Sequence, residues 1–133
     1  MIVFKTSYYG QVTGKKNNKV ISINQRTGRP FVRMNDRAKV QELSMINSFA
    51  HDLEYSDFTS EDFLDKRIEV LIEVWNQDKR KHDLDNQLST VLDALVKARV
   101  LPDDSQETIW CEKAAYMGVD KDDPRVLVTI KAD

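Results

Sequence analysis

The residues best placed to do chemistry lie between Lys79 and Asp104, in the stretch KRKHDLDNQLSTVLDALVKARVLPDD, where Asp83 and Asp85 precede a helical pattern and Asp103 and Asp104 follow it. Carboxylates gathered beside lysines and arginines are the donor set of a hard divalent cation, which prefers oxygen ligands. Side chains at i and i+2 diverge on a helix but share a face in an extended segment, so Asp83 and Asp85 are expected where a strand runs into a helix. RIEVLIEVWNQ supplies that strand, and Asp85 or Asn86 is a natural N-cap for the helix after it. The sequence leaves a second reading open at this point, an N-cap and a solvated turn acid without a metal.

The helix carries an apolar stripe of Leu88, Val91, Leu92, Leu95 and Val96, with Asn86, Ser89, Asp93 and Lys97 on another face. Pro102 stops it. Asp103 and Asp104 then fall in a turn before the next strand, which could return beside the first and bring a third carboxylate to the pair. Other acidic and metal motifs fail on their own terms. A calcium-binding loop starting at Asp83 needs Gly at its sixth place and Glu at its twelfth, where Leu88 and Ala94 stand. His51, His82 and Cys111 are too scattered for a zinc site.

The elements that must position these residues are mixed. IVFKTSYY reads as a strand, GQVTGKKNN as a basic loop, and VISIN, QRTGRP and FVRM as a hairpin. Asn35 or Asp36 caps a helix through about Glu54, with Val40, Leu43, Met45, Ile46, Phe49, Ala50 and Leu53 expected against the sheet. SDFTSEDFLD is a loop or short helical turn before a strand from Ile68 to Trp75. TIWCEKAAYMGV and RVLVTIKA are strands joined by the acidic turn DKDDP. Residues 1–133 thus form one α+β domain, a mixed or antiparallel sheet of about four to five strands with two principal helices.

Charge is unevenly spread. The first forty residues hold nine basic side chains against Asp36 alone, a net of +8, and the remainder holds eleven against twenty-one acids, a net of −10, which together give the formal −2. Such halves suit a protein that attracts a polyanion with one region and holds cations with another. Lys15, Lys16 and Lys19 in the first loop and Lys79, Arg80 and Lys81 before the acidic motif are the candidates to contact such a polyanion. Were that polyanion a nucleic acid, these bases would hold its phosphates, and Tyr8, Tyr9 and Phe31 could stack near unpaired bases or pack in the protein. No run of about 18 apolar residues could span a membrane. MIVFKTSYYG lacks the pattern of a signal peptide, and the lone cysteine suits a reducing compartment, so a cytoplasmic protein is expected.

KRKHDLDNQLSTVLDAL followed by VLPDD resembles the RusA family of Holliday junction resolvases, small bacterial endodeoxyribonucleases often found in prophages. The family's basic run into Asp-x-Asp-Asn, its Leu-Asp-Ala-Leu helix and its Asp-Asp pair all occur here in order. The resemblance implies a homodimer that uses Mg2+, with Mn2+ as a substitute, to cut four-way junction DNA symmetrically during recombination and repair. It implies Asp83, Asp85 and Asp104 as the catalytic, metal-binding carboxylates, Asp103 as a neighbouring metal-binding acid, and Asn86 as a site-ordering residue. Ser89 occupies a site-ordering position where the family commonly carries a lysine that positions or neutralises the scissile phosphate. Lys97 lies about 12 Å further along the helix and is a poor substitute. This departure keeps a non-catalytic junction-binding protein in view as the alternative.

The substitution Ser89→Lys is expected to raise the cleavage rate at unchanged metal dependence in a junction-nicking time course. An inert or slower variant would show that another base already fills the role.

Overall fold

Period-two burial defines the central strand. In β4 (Ile68–Asn76) Ile68, Val70, Ile72 and Val74 are buried, while Glu69, Leu71, Glu73 and Trp75 alternate with them on the opposite face. The structure, a computed structural model, describes residues 1–14 and 19–133. In chain order it has β1 (Ile2–Tyr9), β2 (Lys19–Ile23), β3 (Pro30–Met34), α1 (Asp36–Glu54), a short 3-10 turn (Ser60–Phe63), β4, α2 (Leu84–Lys97), β5 (Ile109–Val119) and β6 (Arg125–Ala132). The fold is α+β, with two helices on a mixed four-stranded sheet of order β1-β6-β4-β5, and β2 and β3 form a separate antiparallel hairpin.

Both helices cover one face of the sheet. Met45 and Phe49 of α1 and Val91, Ala94 and Leu95 of α2 join Phe4, Val70, Ile72, Val128 and Ile130 in one buried core. The other face carries Lys5, Glu69, Thr129 and Lys131 and remains wet, the usual two-sidedness of a largely antiparallel sheet. The edge strand β1 is protected by α1, because Ser7 N–H donates to Asp52 Oδ2 at 3.2 Å and Ser48 Oγ donates to Ser7 O at 2.6 Å.

Two expectations from sequence, one about each helix, need correction, whereas the acidic turn does join β5 to β6. These two strands are not neighbours in the sheet, because β4 lies between them. The turn arches over the end of β4, where Asp120 N–H donates to Asn76 O at 2.8 Å and Arg125 lies 4.0 Å over the Trp75 ring. Val40 and Leu43 of α1 are 63 % and 60 % exposed, since only the face carrying Ala38, Met45 and Phe49 reaches the core. The N-cap of α2 is Asp83, not Asp85 or Asn86, because Asp83 is the last extended residue and its Oδ1 accepts from the N–H groups of Asp85 and Asn86. The α1 cap is Asn35, whose side chain accepts from Ala38 N–H.

A buried polar clasp ties the chain together at one end of the sheet. Asn76 Oδ1, at the end of β4, accepts from Gln11 Nε2 at 2.9 Å and from Gln87 Nε2 at 3.0 Å. Both amides also donate to Val12 O at 2.8 Å, and Gln11 Oε1 accepts from Gln77 N–H at 2.7 Å. Three segments distant in sequence, the loop after β1, the end of β4 and the first turn of α2, are thereby fixed against one another. Each of these groups is shielded from water, so losing one partner exposes the desolvation penalty of the others. Gln87→Leu, which keeps the bulk and removes the donor, is expected to destabilise the fold by about 1–3 kcal/mol. A urea-unfolding midpoint equal to that of the wild type would show that the clasp contributes nothing.

Candidate active site

Asp83, Asp85 and Asn86 stand together where β4 gives way to α2. Asp83 is extended, with φ −88° and ψ 111°, and its Oδ1 receives the Asp85 and Asn86 N–H groups at 3.0 and 3.3 Å. Capping therefore occupies one carboxylate oxygen, Oδ1. Asp85 is exposed in the first turn, where the positive end of the helix dipole favours an anion. Asn86 is buried, and a Cβ on Gly14 would collide with its side chain, so the loop after β1 lies directly on this turn. Only glycine allows that approach.

Basic residues flank the pair. Lys79, Arg80 and Lys81 are exposed in the segment between β4 and α2, with Arg80 N–H turned onto Asp78 Oδ1 at 3.0 Å. Lys19 opens β2 and is exposed, whereas Lys15 and Lys16 lie outside the described residues. Ser89 is exposed one turn beyond Asp85. Lys97 is engaged by Glu42 and by Asp93, the latter at 3.4 Å, so it does not serve the acidic turn. Tyr9 and Phe31 are exposed, while Tyr8 packs on the core.

The third carboxylate is not where the sequence pattern suggested. β5 does return beside β4, but parallel to it, so the start of β5 lies at the opposite end of the sheet from the end of β4. The fourteen residues of α2 cover the distance between, about 21 Å of helix. Asp103 and Asp104 follow its far end. Consistent with this, no group of three or more acidic, histidine or cysteine side chains among the described residues could hold a metal ion.

The far turn has its own order. Arg99 adopts the left-handed region at φ 61°, which ends α2, and Val100 and Leu101 dive into the core. Asp103 Oδ1 accepts from Ser105 N–H at 2.8 Å and from Ser105 Oγ at 2.6 Å. These bonds hold the Asp103 carboxyl below the usual carboxylate range and commit one of its oxygens to shaping the turn that presents Asp104.

A divalent oxyphilic cation suits what Asp83 and Asp85 offer, since such ions keep several waters and take only a few carboxylates. Two carboxylates of one chain are nevertheless a partial set. The sequence reading missed the clasp beneath this set, although a signal was present: Gln87 lies four residues before Val91, a polar side chain on a stripe otherwise apolar.

Two comparisons bear on this site. No curated protein matches the chain. The family model described as Endodeoxyribonuclease RusA matches residues 10–131, which takes in the loop after β1, the acidic turn, α2 and the Asp103–Asp104 turn. With nearly all of its length matched, and with the Asp-Leu-Asp-Asn turn at the junction of β4 and α2, the chain belongs to the RusA family of endodeoxyribonucleases.

Proposed function

We propose that the protein is a homodimeric, Mg2+-dependent endonuclease that resolves four-way DNA junctions by paired symmetric nicks, acting in recombination and repair in the cytoplasm, with Mn2+ able to replace Mg2+. The observation that carries this reading is the separation of the carboxylates: Asp83 and Asp85 at one end of α2, Asp104 beyond the other. A two-fold axis crossing near the middle of α2 would set the helices of two subunits antiparallel. Asp104 of the partner subunit would then approach Asp83 and Asp85, and the same would hold in reverse. A substrate with two equivalent strands to cut calls for that symmetry.

An unpartnered apolar surface supports the dimer. Ile21, Ile23 and Val32 lie on one face of the β2–β3 hairpin at 76 %, 67 % and 64 % exposure, with Pro30 and Met34 on the same face. Exposed Val40 and Leu43 of α1 add to the apolar surface of the chain. A two-stranded hairpin is marginal in water by itself, so a face of this kind favours coverage by another chain. β5 is a second candidate, an edge strand with Trp110, Tyr116 and Met117 exposed.

Chemically, Asp83, Asp85 and Asp104 of the partner subunit would hold the cation, with Asp103 shaping the turn or lending its remaining oxygen. When bound, the ion supplies Lewis-acid polarisation of the phosphodiester and a more acidic water. The chain's own residues supply position. The Asp83 cap fixes one carboxylate against the helix start, buried Asn86 and the clasp hold that start rigid, and Lys79, Arg80 and Lys81 draw the phosphate backbone to an acidic turn that would otherwise repel it. No helix offers an obvious reader of base edges, so selection rests on junction shape.

Ser89, where the family commonly carries a lysine, favours a second reading, a junction-binding protein that no longer cuts. End-labelled mobile four-way junctions in Mg2+ separate the two. The wild type is expected to give paired symmetric nicks, and Asp85→Asn and Asp104→Asn are each expected to abolish them. Mixing the two inactive variants is expected to restore nicking, because about half of randomly assorted dimers carry one intact composite site. Binding without cutting by the wild type would favour the second reading, and mixtures as inactive as their components would contradict a shared site.

A further inference from the structure

Beside the acidic turn, a cavity of about 160 Å3 opens between the first turn of α1, the loop after β1 and the segment leading into α2. Arg37, Arg80 and His82 are among the residues that line it, and no acid is among the described lining residues. Among the described residues no acid pairs with Arg37, and Arg80 has only a loose contact with Asp78, Nε to Oδ2 at 3.7 Å. Arg37 thus brings to the recess a positive charge that no described acid balances, and an anion bound there would offset it. Arg37 also sits in the first helical turn, the end of α1 whose dipole disfavours a cation. Its place is therefore poorly explained by the stability of α1.

The remaining walls are donors or are held still. Gln41 accepts from Thr13 Oγ1 through Oε1 at 2.7 Å, which turns its amide NH2 to the other side. The Gln11 side chain is held in the clasp, to which Gln77 contributes its backbone N–H. His82 Nε2 is buried with no hydrogen-bond partner among the described residues, a polar atom that an incoming acceptor could satisfy by a turn of the ring. The space equals about five waters, enough for a tetrahedral anion and too small for a nucleotide. A neighbouring cavity shares Arg80 and His82 and adds Lys79 and Lys81, so the cationic wall runs on along the same segment.

We infer that this cavity is a phosphodiester subsite, in which Arg37 and Arg80 clamp a DNA phosphate next to the one presented to Asp83 and Asp85. Its role deepens the nuclease reading and rests on it: the clamp supplies from α1 the positive charge that Ser89 does not supply from α2. Guanidinium forks suit the task because they match phosphate oxygens in pairs. The contact positions the strand and carries no sequence information.

Titration of the intact protein with the dinucleotide dTpdT, followed by NMR of the His82 ring and the arginine Nε–H groups, tests the subsite without requiring cleavage. Saturable shifts are expected at His82, Arg37 and Arg80, lost in Arg37→Gln/Arg80→Gln and kept in Lys121→Gln, a change in the distant β5–β6 turn. Unmoved His82 signals, or unchanged shifts in the double variant, would overturn the subsite. With junction DNA, Arg37→Gln is expected to lower the slope of log K against log salt by about one. Dinucleotide binding at the cavity by a protein that leaves junctions uncut in Mg2+ would uphold the subsite and refute the nuclease reading.

Discussion

A helix joining two parallel strands must start at one end of the sheet and finish at the other. Here α2 starts with Asp83 at the end of β4 and releases Asp104 before β5, so the length of one fourteen-residue helix keeps the acidic residues of a single chain apart. The helix cannot shorten without uncovering Val91, Ala94 and Leu95, which are fully buried against the sheet. The requirement of the core and the requirement of a metal for converging oxygens are therefore in conflict within one subunit. In the proposed homodimer a second subunit would resolve the conflict, and the exposed apolar face of the β2–β3 hairpin would give it a surface to occupy.

The two ends of α2 are built differently. At its start, hydrogen bonds between buried amides tie three segments together, and Gly14 lets the loop after β1 press onto Asn86. This rigidity keeps Asp83 and Asp85 in place beside the Arg37, Arg80 and His82 recess. At its far end, order is local: the left-handed Arg99, the buried Val100 and Leu101, and the Asp103–Ser105 bonds. The basic segment Lys79–Lys81 directly precedes the acidic turn at this end of the sheet, which would let a polyanion approach carboxylates that alone would repel it.

Much of this was legible in the sequence. The alternation of RIEVLIEVW gave β4, the hairpin was marked by its Gly28 turn, and the stripe from Leu88 to Leu95 gave α2, because burial on one face imposes those periods. Asp83 and Asp85 were placed at the strand-to-helix boundary for the same geometric reason. The direction of β5 was not drawn from its spacing, although a helix between two strands is the connection that parallel neighbours need. Exposed Val40 and Leu43 misled because an apolar residue at helical spacing reads identically whether it faces its own core or nothing in its own chain. Arg37 could not be connected to the site, since only the fold brings the first turn of α1 to His82.

The most direct test is a pair of distances. With Cys111→Ser as background, spin labels at Asp85→Cys and Asp104→Cys report either within one chain or, when placed on separate chains and mixed, between chains. A shorter distance between chains than within one is predicted, with the within-chain value near or above the roughly 21 Å of α2. A within-chain distance short enough for one ion, or no dipolar coupling between chains, would contradict a site shared by two subunits.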